Sequence, residues 1–141
     1  MVGIIFIVVL VAAGGFALWA TYSQGTVDTG EIELPNYAYR TTAVTQAYVA
    51  AVDQPLLFEY IPCYCGCGMS ADHQYLRDCF YDDNGQYSQH GANCNTCVDI
   101  ANTSWSMYKD GSSILDIRNY IDNKYSAGDY PESTKTPMPI N

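Results

Sequence analysis

The chain has 141 residues, with fifteen acidic side chains against six basic ones and a net charge of −9. That balance excludes a nucleic-acid-binding surface, which needs a basic face, and a hydrophobic content of 48% excludes disorder by composition. Six cysteines in so short a chain exceed cytosolic usage, and their even number fits an oxidising, extracytoplasmic compartment.

Residues 2–19 carry no charge, and the first basic side chain is Arg40. As a helix rising about 1.5 Å per residue this run spans about 27 Å, close to a bilayer core. A secretory signal peptide would open with basic residues and end in a small-residue cleavage site. A membrane anchor would carry flanking basic residues that set its orientation. Neither pattern is present, which favours a third reading, a helix buried against copies of itself in a filament core. Gly3, Ala12, Ala13, Gly14 and Gly15 would allow close helix approach. The start Met1-Val2-Gly3-Ile4-Ile5-Phe6-Ile7-Val8-Val9-Leu10 resembles that of a mature type IV pilin. Bacterial pilins of this kind carry Glu at the fifth position. Ile5 stands there in this chain, so the resemblance implies an archaeal-like or otherwise divergent filament.

The expected fold is mainly α: a long apolar N-terminal helix, then a small helical domain wrapped around a cysteine-rich irregular loop. The division is an apolar helix over 1–22, a linker over 23–36, the cysteine-rich domain over 37–130 and an extended tail over 131–141. Within the domain, Ala43, Val44, Ala47, Tyr48, Ala51 and Val52 recur at helical spacing over 38–52, and Pro55 ends that helix. Leu56-Leu57-Phe58 reads as a turn of helix entering the core. Residues 61–91 show no period and should be irregular, needing cross-links or metal to stay folded. A second helix is expected over 95–109, with Cys97, Val98, Ala101, Trp105 and Tyr108 on one face and Gly111 as its stop. Ser113-Ile114-Leu115-Asp116 has the form of a capping box, opening a helix with an inner stripe of Ile114, Ile117, Ile121 and Tyr125.

The most specific string is Pro62-Cys63-Tyr64-Cys65-Gly66-Cys67-Gly68, followed by Cys79-Phe80, His90-Gly91, Cys94-Asn95-Thr96-Cys97, Ile117 to Asp122 and Thr136-Pro137-Met138-Pro139. From Ile61 to Pro139 this resembles the PCYCGC-motif proteins, often lipoproteins of Gram-positive bacteria, whose activity is not established. Many members are tethered through a lipobox cysteine. No cysteine precedes Cys63 here, so the resemblance implies that the apolar helix replaces that tether.

In an extended segment Cys63, Cys65 and Cys67 would share one face, and neighbours so close rarely bond each other. Two chemistries compete. Three disulfides with Cys79, Cys94 and Cys97 would each contribute about 2–4 kcal/mol, with Cys94–Cys97 as one possible pair. Alternatively, the six sulfurs join Met69, His73 and His90 as ligands. Thiolate, thioether and imidazole form a soft set suited to Cu(I), then zinc or iron–sulfur. Six thiolates could bridge a small polynuclear copper cluster, whereas zinc needs four ligands per ion. A helix beginning near Cys94 and Cys97 would lower their pKa through its dipole.

Asp82-Asp83-Asn84-Gly85 lacks the distal Glu of a calcium loop and reads as a tight turn. The Asn102-Thr103-Ser104 sequon falls inside an expected helix and reads as chance. The thirteen tyrosines suit interfaces and half-buried surface, with electron hopping as the alternative. No Ser-His-Asp set or phosphate-binding loop appears, so no enzymatic role is expected. The sequence therefore points to an extracellular or cell-surface filament subunit that partners copies of itself and meets a membrane only during assembly or as an anchor. It would bind copper for sequestration or electron transfer through Cys63, Cys65, Cys67, Cys79, Cys94, Cys97, His73, His90 and Met69. The alternative is a membrane-anchored, disulfide-stapled domain.

Overall fold

The computed structural model describes residues 29–140. The expected filament helix, residues 23–28 of the linker and the final residue of the tail lie outside them. Among the described residues the fold is helical, as expected, with no strand beyond an isolated antiparallel bridge between Tyr81 and Tyr87.

After a 3-10 turn over Asn36–Tyr39, α1 spans Thr42–Asp53. Thr41 caps it, its Oγ1 accepting from Val44 N at 3.2 Å, which satisfies one orphan donor of the first turn. Pro55 ends α1 and also opens α2 (Pro55–Glu59) at its first position, where a missing N–H costs nothing. Leu57 and Phe58 of α2 are buried, whereas Leu56 is 56% exposed. Two further single turns, α3 (Cys67–Ser70) and α4 (His90–Asn93), flank the irregular region, with a 3-10 turn at Leu76–Cys79 between them. Asp82 and Gly85 close the tight turn, Gly85 N donating to Asp82 O at 3.0 Å and Asn84 N to Asp82 Oδ1 at 2.9 Å.

The longest helix, α5, occupies Asn95–Lys109. It ends in a Schellman arrangement: Ser112 N donates to Met107 O and Gly111 N to Tyr108 O, both at 3.0 Å, with Gly111 at φ +89°. Helix α6 follows over Ile114–Ser126, capped by Ser113 Oγ accepting from Asp116 N. On α5, Cys97, Val98 and Ala101 are buried as expected, while Trp105 is half-buried and Tyr108 lies at the surface; on α6, Ile117, Ile121 and Tyr125 are buried.

Helix α5 packs on α1, α4 and α6. Tyr48, Phe58 and Phe80 form the aromatic centre, with edge-on rings at 5.1 and 6.1 Å between successive centroids. The tail beyond α6 has no regular structure, yet Thr134 and Thr136 are buried. Arg118 of α6 holds it, Nη1 donating to Pro137 O at 2.9 Å and Thr136 O at 3.3 Å while Nε pairs with Asp122 at 2.8 Å.

Candidate metal centre

The centre is built where the motif strand, two short helices and the start of α5 meet. Cys63 is fixed by the tail: its N–H donates to Thr134 Oγ1 at 2.9 Å, and Thr134 N donates to Cys63 O at 3.0 Å. The expected extended run stops at Cys65. Gly66 sits at φ +82°, a left-handed conformation that glycine adopts without steric cost, and the chain turns there so that Cys67 opens α3. Thus Cys67 reaches its neighbours through a turn rather than through strand alternation.

Cys79 closes the second 3-10 turn, His90 begins α4, Cys94 caps α5 and Cys97 lies in its first turn. Gly91 lets α4 approach this closely, since a Cβ there would lie 2.6 Å from a Phe80 ring carbon and 2.8 Å from Cys79 O.

The sulfurs converge. Cys63 Sγ lies 3.3 Å from Cys65 Sγ and 3.2 Å from Cys97 Sγ; Cys97 Sγ lies 3.3 Å from Cys79 Sγ; Cys67 and Cys79 are 3.8 Å apart. All six cysteines are free, and these separations far exceed the roughly 2.05 Å of a disulfide, so no pair of the disulfide alternative lies at bonding distance. Both histidines join them, His90 Nε2 at 3.4 Å from Cys65 Sγ and His73 Nδ1 at 3.6 Å from Cys79 Sγ. Three groups have their ligand atoms all within 4.8 Å of one another: Cys63, Cys65, Cys67 and Cys79; Cys65, His90, Cys94 and Cys97; Cys67, His73, Cys79 and His90. These groups could hold a metal ion. None contains a carboxylate, so the donor set is entirely sulfur and imidazole.

Burial divides the candidate ligands. Cys63, Cys67, Cys79 and Cys97 are fully buried, whereas Cys65, Cys94, His73 and His90 are half-buried. The shared protons follow the sulfur network. Cys65 is held well below the ordinary thiol range by hydrogen bonds, first from Cys63 and then from Cys67 and Cys79. Cys63 is pushed up by Cys65 but pulled down further by Cys67, Cys79 and Cys97, to about 4. Hydrogen bonding to Cys65 raises Cys94, and hydrogen bonding to Cys63 and Cys65 raises Cys97. The two cysteines at the start of α5 are therefore raised, where the helix dipole led to the expectation of a lowered pKa. Burial and neighbouring His90 lower the pKa of His73, which favours the neutral imidazole.

Met69 is 76% exposed on α3, outside the buried centre. Sequence reasoning missed the tail residue Thr134, and it quoted Arg118, Asp122 and Thr136 within motif strings without giving them a role. Arg118 reaches the tail, Tyr64 Oη donates to Asp122 Oδ1 at 2.8 Å, and the Tyr64 ring stacks on Tyr125 with centroids 5.7 Å apart. The motif tyrosine thereby anchors the outer side of the cysteine segment to α6.

A family model described as a protein of unknown function with PCYCGC motif matches residues 26–139. No curated protein and no solved structure matches the chain. The chain belongs to the PCYCGC-motif family.

Proposed function

We propose that this PCYCGC-motif protein binds Cu(I) in a polynuclear thiolate cluster, displayed outside the cell on a pilus-like filament that its N-terminal apolar segment builds. The observation that carries the copper reading is the sharing of ligands. Cys65, Cys67, Cys79 and His90 each belong to two of the three groups. Separate zinc ions would each need four ligands of their own, and every two of the three groups share at least one residue. Thiolates bridging two soft ions resolve the overlap, and an all-sulfur-and-imidazole donor set favours Cu(I) over harder ions. Cys63, Cys65, Cys67, Cys79, Cys94 and Cys97 would hold the metal, with His73 and His90 as terminal ligands. The bound metal would supply a store of sequestered copper or a one-electron carrier. The filament reading rests on the charge-free apolar run at residues 2–19, which must be buried in a membrane or against its own copies.

The test is made on native, metal-loaded protein. Elemental analysis gives metals per chain, and alkylation counts thiols after chelation without reductant. Copper above one ion per chain, with thiols released by chelator alone, is the expected result. Absence of metal together with absence of thiols before reduction would sink the copper cluster. Electron microscopy of the same material tests the assembly, and detergent-soluble single particles without filaments would remove that part.

A further inference from the structure

The four innermost sulfurs, those of Cys63, Cys67, Cys79 and Cys97, are fully buried. An ion arriving from solvent must therefore first meet an outer ligand. His73 occupies the place where this can happen. One cleft of about 320 Å³ runs between α3 and the tail and is lined by Met69, His73 and Thr134 among others. A second, of about 540 Å³, meets it at His73 and is walled by Asp72, Asp78, Asp82 and Asp83. His73 is thus at the surface of both clefts and also 3.6 Å from Cys79 Sγ, with its ring 5.0 Å from that of His90.

The two clefts are not equivalent. The carboxylates peculiar to the second are engaged elsewhere: Asp78 and Asp83 pair with Arg77, and Asp82 accepts backbone N–H groups of its own turn, while Asp72 lines both clefts. The first offers a soft donor. Met69 is 76% exposed, so its thioether contributes little to packing while facing solvent in a cleft that it shares with the candidate ligand His73. A thioether binds Cu(I) and Ag(I) well and zinc poorly.

We infer that Met69 and His73 form a loading site, at which Cu(I) is captured from a soluble complex by the thioether and passed by ligand exchange through His73 to Cys79. No electron changes hands: the ion stays Cu(I), its first carrier leaves with its own ligands, and the Cys79 thiol releases its proton to solvent as the Cu–S bond forms. The inference rests on the copper reading but concerns the rate of filling rather than the final ligand set.

The experiment follows transfer of Cu(I) from a chromogenic bidentate chelator to the full-length, metal-free chain in stopped flow, comparing wild type with Met69→Leu and Met69→Gln. Both variants are expected to fill to wild-type stoichiometry about tenfold more slowly, as a rise of about 1.4 kcal/mol in the transfer barrier would give. Zinc uptake from a matched chelator is expected to be unchanged. Wild-type protein that takes up no Cu(I) would overturn both the loading site and the copper reading. Normal filling with equal rates in wild type and variants would overturn the loading site alone. A lower final stoichiometry would overturn it by making Met69 a resident ligand, and an equal slowing of zinc would overturn it by making the effect one of shape.

Discussion

Gly91 should be intolerant of a methyl group, and the geometry gives the size of the effect. An added Cβ would meet two Phe80 ring carbons at 2.6 and 2.7 Å and the Cys79 carbonyl oxygen at 2.8 Å. Ordinary carbon contacts lie at about 3.5–4.0 Å, so something must move by most of an ångström. Phe80 cannot swing aside, because it is fully buried with Tyr48 and Phe58 packed edge-on against it. Cys79 O is backbone and cannot rotate away. Overpacking of this kind costs about 1–3 kcal/mol, and the propensity gain of Ala over Gly returns at most about 1 kcal/mol. Gly91→Ala is therefore expected to lower stability by about 1–2 kcal/mol. It should also weaken metal binding, because displacing α4 draws His90 away from Cys65. Gly68→Ala is the control. Its Cβ would meet Thr134 at an ordinary 3.4 Å within α3, so it should be neutral or slightly stabilising. Urea unfolding of metal-free protein with a common slope, and chelator competition for affinity, measure both effects. Equal midpoints for Gly91→Ala and Gly68→Ala would refute the close-approach argument.

Thr134→Val keeps the shape of the side chain but removes the oxygen that accepts from Cys63 N. Leaving that buried donor unpaired should cost about 1–3 kcal/mol in urea unfolding, and a variant as stable as wild type would show that the tail does not hold the motif. For His73 the folded-state pKa lies below the ordinary 6.5, through burial and then His90. Its stability contribution is therefore fully present above pH 6.5 in metal-free protein and is lost as pH falls below that value, where the unfolded chain gains a proton that the folded chain does not. His73→Gln should flatten this part of the stability–pH curve, and an unchanged slope between wild type and variant would contradict the assignment.

Features written by local chemistry were legible in the sequence. The bounds of α5, its stop at Gly111 and the Ser113 cap depend on neighbours within a turn, and they appear where the pattern places them. The gathering of cysteines and histidines was legible in composition but not in geometry. Residues 61–91 looked aperiodic because their order is set from afar. Cys65 finds His90 across 25 residues, Cys63 finds Cys97 across 34, and Cys63 finds Thr134 across 71. No window of sequence contains such pairs. The left-handed Gly66 and the crowded Gly91 were visible only as glycines beside ligands, and the proline-bearing tail read as an extension although its threonines are buried. The choice between disulfides and metal stayed open in the sequence for a related reason: six sulfurs clustered together need not be close enough to bond in pairs.

The partition between core and centre predicts what metal removal does. Tyr48, Phe58, Ile100, Ile117 and Ile121 are all essentially buried on α1, α2, α5 and α6, and the candidate ligands Cys63, Cys67, Cys79 and Cys97 belong to the same core. That apolar framework should persist without metal, since burial of each large side chain supplies about 1.5–3 kcal/mol. The segment from Cys63 to Cys94 is different. It holds only single turns of helix and a lone bridge, too short to be stable on their own, so its order should depend on the ligands and on the tail clamp at Thr134. Hydrogen exchange on metal-loaded and chelated protein separates the two regions, because local opening is read amide by amide. Protection should fall over residues 63–94 and 131–137 and stay high in α1, α5 and α6. A uniform loss would mean that metal and core form one cooperative unit, and no loss anywhere would mean that the segment is ordered without metal.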